Sequence, residues 1–156
     1  MKILAIDPAN ITGWSVGVIL SGVFHCKGKS KESPGLKFVK FRKYIKDIIN
    51  DEGIDIVVYE KPGGRFFGGV RSHANFEGVL LQLLEELGIN FKAYSAGEIK
   101  KHAKQQYTEK FQVPLKGQMN KDLMVMTAGK FFDREIIDDN HADSLWLHHL
   151  AQTEFE

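Results

Sequence analysis

Cysteine is almost missing: Cys26 is the only one. That excludes an intrachain disulfide and a cysteine-built zinc site, and it makes a reducing, cytoplasmic setting the expectation. Long apolar runs are missing as well. The opening MKILAID carries a charge by Asp7 and no long apolar region follows, so neither a signal peptide, a membrane span nor a membrane partner is expected. Net charge is scarce, +1 over 156 residues, and by itself it names no partner. Repeats, low-complexity tracts and domain-dividing linkers are lacking, so residues 1–156 are expected to form a single domain. Hydrophobic content of 43% and charged content of 26% are ordinary for a globular chain of this length, which can bury a core without covalent staples.

The charge that is present is unevenly spread. Lys27 to Lys46 holds seven Lys and one Arg against Glu32, and Lys92 to Lys121 holds seven Lys against Glu98 and Glu109. From Asp133 to Glu156 seven acids face Arg134 alone. Such segregation suits either solvated helix faces or a surface for a polyanion.

Hydrophobic patterning predicts an α/β fold. Residues 2–7 (KILAID) read as a strand covered on both faces. Residues 8–13 read as a turn, 14–19 and 23–28 as two further strands broken at Ser21-Gly22, which makes a three-strand antiparallel meander. Ser33-Pro34 opens a helix, as N-cap and first residue, that Gly53 closes. IDIVVYE (54–60) is the fourth strand. A glycine-rich loop (63–71) leads to a helix with the stripe Phe76, Val79, Leu80, Leu83, Leu84 and Leu87, ended by Gly88. Residues 90–95 form a short fifth strand, and helices follow over 96–107, 121–132 and 139–152, with Asn120 as an N-cap. Strand–helix–strand order implies parallel crossovers, so a five-stranded mixed sheet flanked by helices is expected.

Both of the most apolar strands end in an acid, Asp7 and Glu60. If the strands are adjacent and parallel, those carboxylates lie side by side where open α/β sheets bind ligands. Their repulsion calls for a cation or a retained proton. Asp139 and Asp143 share one face of the last helix, and Asn140 shares it with Asp143. Oxygen ligands of this kind suit Mg²⁺ or Mn²⁺, and two such ions roughly 3.5–4 Å apart serve phosphodiester hydrolysis.

The segments ILAIDPANITGWSV, IVVYEKP, GEIKKHA followed by NKDLM, and DDNHADSLWL, in this order, resemble the RuvC-type Holliday junction resolvases of the RNase H-like nuclease superfamily, their phage-encoded members above all. The resemblance spans essentially the whole chain. It implies an RNase H-like fold, a homodimer, and paired Mg²⁺-dependent cuts in four-way DNA junctions, with Mn²⁺ as a substitute. By position it makes Asp7, Glu60 and Asp143 metal ligands. Many relatives carry Asp or His three residues before the last Asp, where this chain has Asn140, so the fourth ligand is open among Asp139, Asn140 and His141. Asp139 is favoured, and His141 sits about 200° of helix rotation from Asp143.

The loop after Glu60 matches one that enters the junction centre in that family. Arg65, Phe66, Phe67 and Arg71 are therefore expected to stack on or wedge between bases. Lys100, Lys101, Lys104, Lys116 and Lys121 are expected to hold phosphates, which gives affinity without sequence reading. Forks and flaps are further candidate substrates. Two other classes share part of this pattern. Sugar kinases and actin-like ATPases open similarly with Asp and a Thr-Gly turn, but need a duplicated domain and an adenosine motif, so no nucleotide cofactor is expected. A junction-binding protein that has lost cutting fits Asn140, but gains nothing from four acids facing phosphates.

Overall fold

Two apolar runs make the middle of the sheet. β1 (Ile3–Asp7) is buried along its whole length, and β4 (Ile56–Glu60) is buried up to Tyr59. The two pair in parallel, Ile6 opposite Tyr59. β5 (Asn90–Tyr94) extends the parallel side, while β2 (Ile11–Ser15) and β3 (Ser21–His25) add the antiparallel meander, giving the order β3-β2-β1-β4-β5. The expected five-stranded mixed sheet is present. These features come from a computed structural model that describes the chain except residues 29 and 64–66 and the side chains of residues 67–70.

Among the described residues five helices cover the sheet: α1 (Leu36–Glu52), α2 (Phe67–Leu87), α3 (Ala96–Phe111), α4 (Lys121–Phe132) and α5 (Asp139–Phe155). Side chains alternate across a strand, and here the alternation sorts two cores. Leu4, Ile6, Val57 and Tyr59 meet Phe41 and Ile45 of α1 and Phe76, Leu80 and Leu84 of α2. Ile3, Ala5, Ile56 and Val58 meet Ile99, Met124, Ala142 and Trp146 from α3, α4 and α5. Continued by one step, the same alternation sends Asp7 and Glu60 to the α5 side. Among the described residues no helix is long and apolar enough to cross a membrane.

The helix punctuation follows local chemistry. Gly53 and Gly88 adopt positive φ of 62° and 65° directly after α1 and α2, where a Cβ would be strained. Asn120 Oδ1 accepts from the Leu123 N–H at 2.8 Å to start α4, and Asp138 Oδ1 accepts from the His141 N–H at 2.9 Å to start α5. Ser95 and Glu98 form a reciprocal capping box on α3.

Several boundaries differ from the sequence expectation. The second strand is residues 11–15, not 14–19, and the third begins at Ser21, not Val23. The reason is that Thr12 pairs with Phe24 of β3 and Gly13 with both Asp7 of β1 and Val23 of β3, while the apolar run Val16–Leu20 forms the turn, with Ile19 88% exposed. Arg134 holds that turn by donating to the carbonyls of Val18, Ile19 and Ser21. α1 is capped by Gly35, not Ser33; the Ser33 carbonyl instead accepts from the Leu36 N–H at 3.0 Å. α2 begins at Phe67, so helix replaces the second half of the expected 63–71 loop. α3 and α5 run further than expected, to Phe111 and Phe155.

Candidate active site

Three chain segments bring their acids together. Asp7 ends β1, Glu60 ends β4, and Asp143 lies one turn into α5. Each offers a carboxylate oxygen within 4.8 Å of the others. Asp7 is 5% exposed. Its burial, and then the charges of Glu60 and Asp143, raise its pKa well above the ordinary carboxylate range. Asp143 is pushed up to about 7, first by burial and then by Glu60 and Asp139, with Lys100 and Lys121 pulling the other way. Such acids favour protons or a cation over bare charge.

One glycine sets how closely α5 approaches. A Cβ on Gly13 would lie 1.9 Å from the Asn140 carbonyl oxygen and 2.4 Å from its carbon. No side chain fits there, so the first turn of α5 rests directly on β2. That contact fixes the height of Asp143 over Asp7.

The acids open into a cleft of about 360 Å³, also lined by Pro8, Ala9, Asn10, Ser72, His73 and Asn140. Asn10 Oδ1 is buried without a hydrogen-bond partner among the described residues. A converging set of hard oxygen donors, two carboxyls strained by burial, and an orphaned amide oxygen at the same cleft together fit a divalent cation such as Mg²⁺ or Mn²⁺.

The fourth-ligand candidates separate in space. Asn140 lines the cleft. Asp139 pairs with Lys121 at 3.5 Å, near enough to raise both Asp7 and Asp143. His141 turns away into the core, Nε2 at 2.9 Å from Ser21 Oγ and Nδ1 accepting from the Ile137 N–H at 3.1 Å. Of the lysines, Lys121 pairs with Asp139, and the charges of Lys100 and Lys121 both reach Asp143, whose pKa they pull down. Lys101 sits in a separate groove with Glu98, His102 and Glu154. Lys104 donates to the Gly117 carbonyl at 2.8 Å, and Lys116 is exposed on the connection before α4. Arg71 is exposed on α2, whereas Arg65, Phe66 and the side chain of Phe67 lie outside the described residues.

Asn10, Ser72 and His73 are cleft residues that the sequence did not single out for this site. Asn10 has a local signal, its place three residues after Asp7 in the turn that leaves β1. Ser72 and His73 have none, because only the packing of α2 against β4 brings them there.

No protein-family model matches the sequence, and no curated protein matches it. Solved structures do. Thermus thermophilus RuvC, in a structure described as a complex with Holliday junction substrate, superposes with a TM-score of 0.74 over 99% of this chain and 94% of that one, at 15% identity. The chain has the RuvC-type, RNase H-like fold. A second Thermus thermophilus RuvC structure gives a TM-score of 0.66 at 14% identity, over 99% and 97% of the two chains. The yeast mitochondrial Holliday junction resolvase Ydc2 gives 0.56 at 11% identity, over 99% and 82%. The RuvC-type fold explains the order of the site: acids at the ends of two parallel central strands, and a third on the helix that crosses them.

Proposed function

We propose that this protein is a divalent-metal-dependent endonuclease that cuts branched DNA, four-way junctions foremost, and forks and flaps as further substrates. The observation that carries the reading is the meeting of Asp7, Glu60 and Asp143 at one cleft of a RuvC-type fold. Asp7, Glu60 and Asp143 would hold Mg²⁺, with Mn²⁺ as a substitute, and Asn140 or Asp139 would complete the set. When bound, such ions supply Lewis-acid chemistry, activating water and neutralising charge on a phosphodiester.

The chain's own residues contribute binding and order. Lys100 and Lys121, whose charges act on Asp143, would hold a phosphate that approaches the acids and offset the repulsion of the carboxylates. Arg65, Phe66, Phe67 and Arg71 follow Glu60 in sequence, and their ring and guanidinium chemistry suits stacking on bases opened at a branch point. Two symmetric cuts in a four-way junction require two copies, and we infer a homodimer of phage-type single-domain subunits.

The test is incubation of the purified protein with a labelled four-way junction, a fork and a linear duplex, each with Mg²⁺, Mn²⁺ or EDTA. Metal-dependent cuts confined to branched DNA are expected. Tight, salt-sensitive binding without cutting under any metal would replace the nuclease with a junction-binding protein.

A further inference from the structure

β4 is gripped by α2 at two consecutive residues. Tyr59 Oη donates to Glu77 Oε2 at 2.8 Å, and the Glu60 carbonyl oxygen lies 2.9 Å from His73 Nε2. His73 and Glu77 are four apart, so one face of α2 makes both contacts. A carbonyl oxygen only accepts, so Nε2 carries the proton of the second bond. His73 also lines the cleft.

The Glu60 carbonyl is the last of its strand. The next residue's N–H turns the other way and donates to the Tyr94 carbonyl at 2.9 Å on β5. Beyond Lys61 come Pro62 and Gly63, of which the proline has no N–H to give and the glycine little restraint. The peptide leaving Glu60 is therefore held by β5 on one side and His73 on the other. Removing the imidazole would leave one hold on a backbone whose side chain must converge with Asp7 and Asp143.

We propose that His73 is a positioning residue for Glu60: by tethering the Glu60 carbonyl it keeps that carboxylate aimed at the divalent ion. This rests on the metal-site reading above. The arrangement is the backbone counterpart of a partner that orients a metal ligand from behind, a kind of contact whose loss typically weakens metal binding or activity tenfold to a hundredfold.

The test uses the full chain with His73→Ala, His73→Gln and Tyr59→Phe. Gln can place an amide N–H where Nε2 stood, and Tyr59→Phe loosens the same helix without touching Glu60. Free Mn²⁺ is followed by electron paramagnetic resonance without DNA, alongside melting temperature and junction cleavage across metal concentrations. His73→Ala should weaken Mn²⁺ binding about tenfold and raise the metal concentration for half-maximal cutting by the same factor, with junction KM unchanged. His73→Gln should recover most of the loss, and Tyr59→Phe should lower the melting temperature at unchanged Mn²⁺ affinity. Wild-type Mn²⁺ affinity in His73→Ala overturns the proposal, as does an equal loss in Tyr59→Phe or no rescue by Gln. If the wild type binds Mn²⁺ and follows this pattern but cuts no DNA, the nuclease reading falls and the role of His73 stands. If the wild type binds no Mn²⁺, both fall.

Discussion

At Asp7 a carboxyl group buried to 5% exposure faces two others across a cleft, and that crowding makes strong statements about single residues possible. Asp7→Asn and Glu60→Gln keep shape and remove charge. Each should reduce cutting by at least about a hundredfold, the upper range for losses one shell further out, while junction affinity measured with EDTA stays the same or improves. Cutting at the wild-type rate by either variant would move the chemistry elsewhere. The raised pKa values of Asp7 and Asp143 have a second consequence. Both groups hold protons in the folded chain at pH values where the unfolded chain has released them. What these two groups contribute to metal-free stability is therefore full below about pH 4, the unfolded carboxylate value, and progressively lost as the pH rises toward about 7, the value to which Asp143 is pushed. Divalent ions bind the deprotonated acids, so their stabilisation grows over the same window. Melting temperatures at pH 5 and pH 8, with and without Mn²⁺, should show a metal effect mainly at pH 8; equal shifts at both would contradict the shared proton-or-cation site. Asp7, Glu60 and Asp143 are legible in the sequence because a charge that ends a buried run, or recurs on a packed helix face, stands out against its surroundings. His73 does not stand out, since its partner is a backbone atom of another element.

Elements are legible to the extent that local pattern and tertiary demand agree. β1 and β4 are covered on both faces, so their sequences are continuous apolar runs, and their adjacency places the site. β2 breaks the rule. Its strand residues Ile11–Ser15 include Thr12 and Gly13, a turn-like pair, because β2 must admit the first turn of α5. The apolar Val16–Leu20 then reads as strand although Arg134, remote in sequence, holds it as a turn. Gly13→Ala tests that account. The added methyl would meet backbone, which cannot swing aside, so α5 must lift or tilt. A destabilisation of about 1–3 kcal/mol is expected by urea unfolding, together with weaker Mn²⁺ binding as Asp143 moves from Asp7. Gly17→Ala, with open space around its Cβ position, should change neither and serves as the comparison.

For the whole molecule the relevant quantity is the field along the DNA path. Net charge is near zero, so on the proposed nuclease reading DNA affinity is expected from local lysines such as Lys100 and Lys121, and not from overall attraction. Each phosphate contact contributes about 0.9 to the slope of log affinity against log salt. Lys100→Ala and Lys121→Ala should each weaken junction binding without changing the preferred cut position, and each should flatten that slope by about one unit. A weakened variant with an unaltered slope would assign that lysine to folding; Lys121, paired with Asp139, is the sharper case.

The three acids are also far apart along the chain, two on adjacent strands of the sheet and the third on the helix layer that covers it. A nascent chain still lacking α5, or one clipped in the connection before α4, carries Asp7 and Glu60 without Asp143. The three-acid cluster is thus incomplete until the last helix has docked. On the nuclease reading that order is a safeguard: a molecule that has not yet acquired α5 has only two of the three acids and so lacks the complete site.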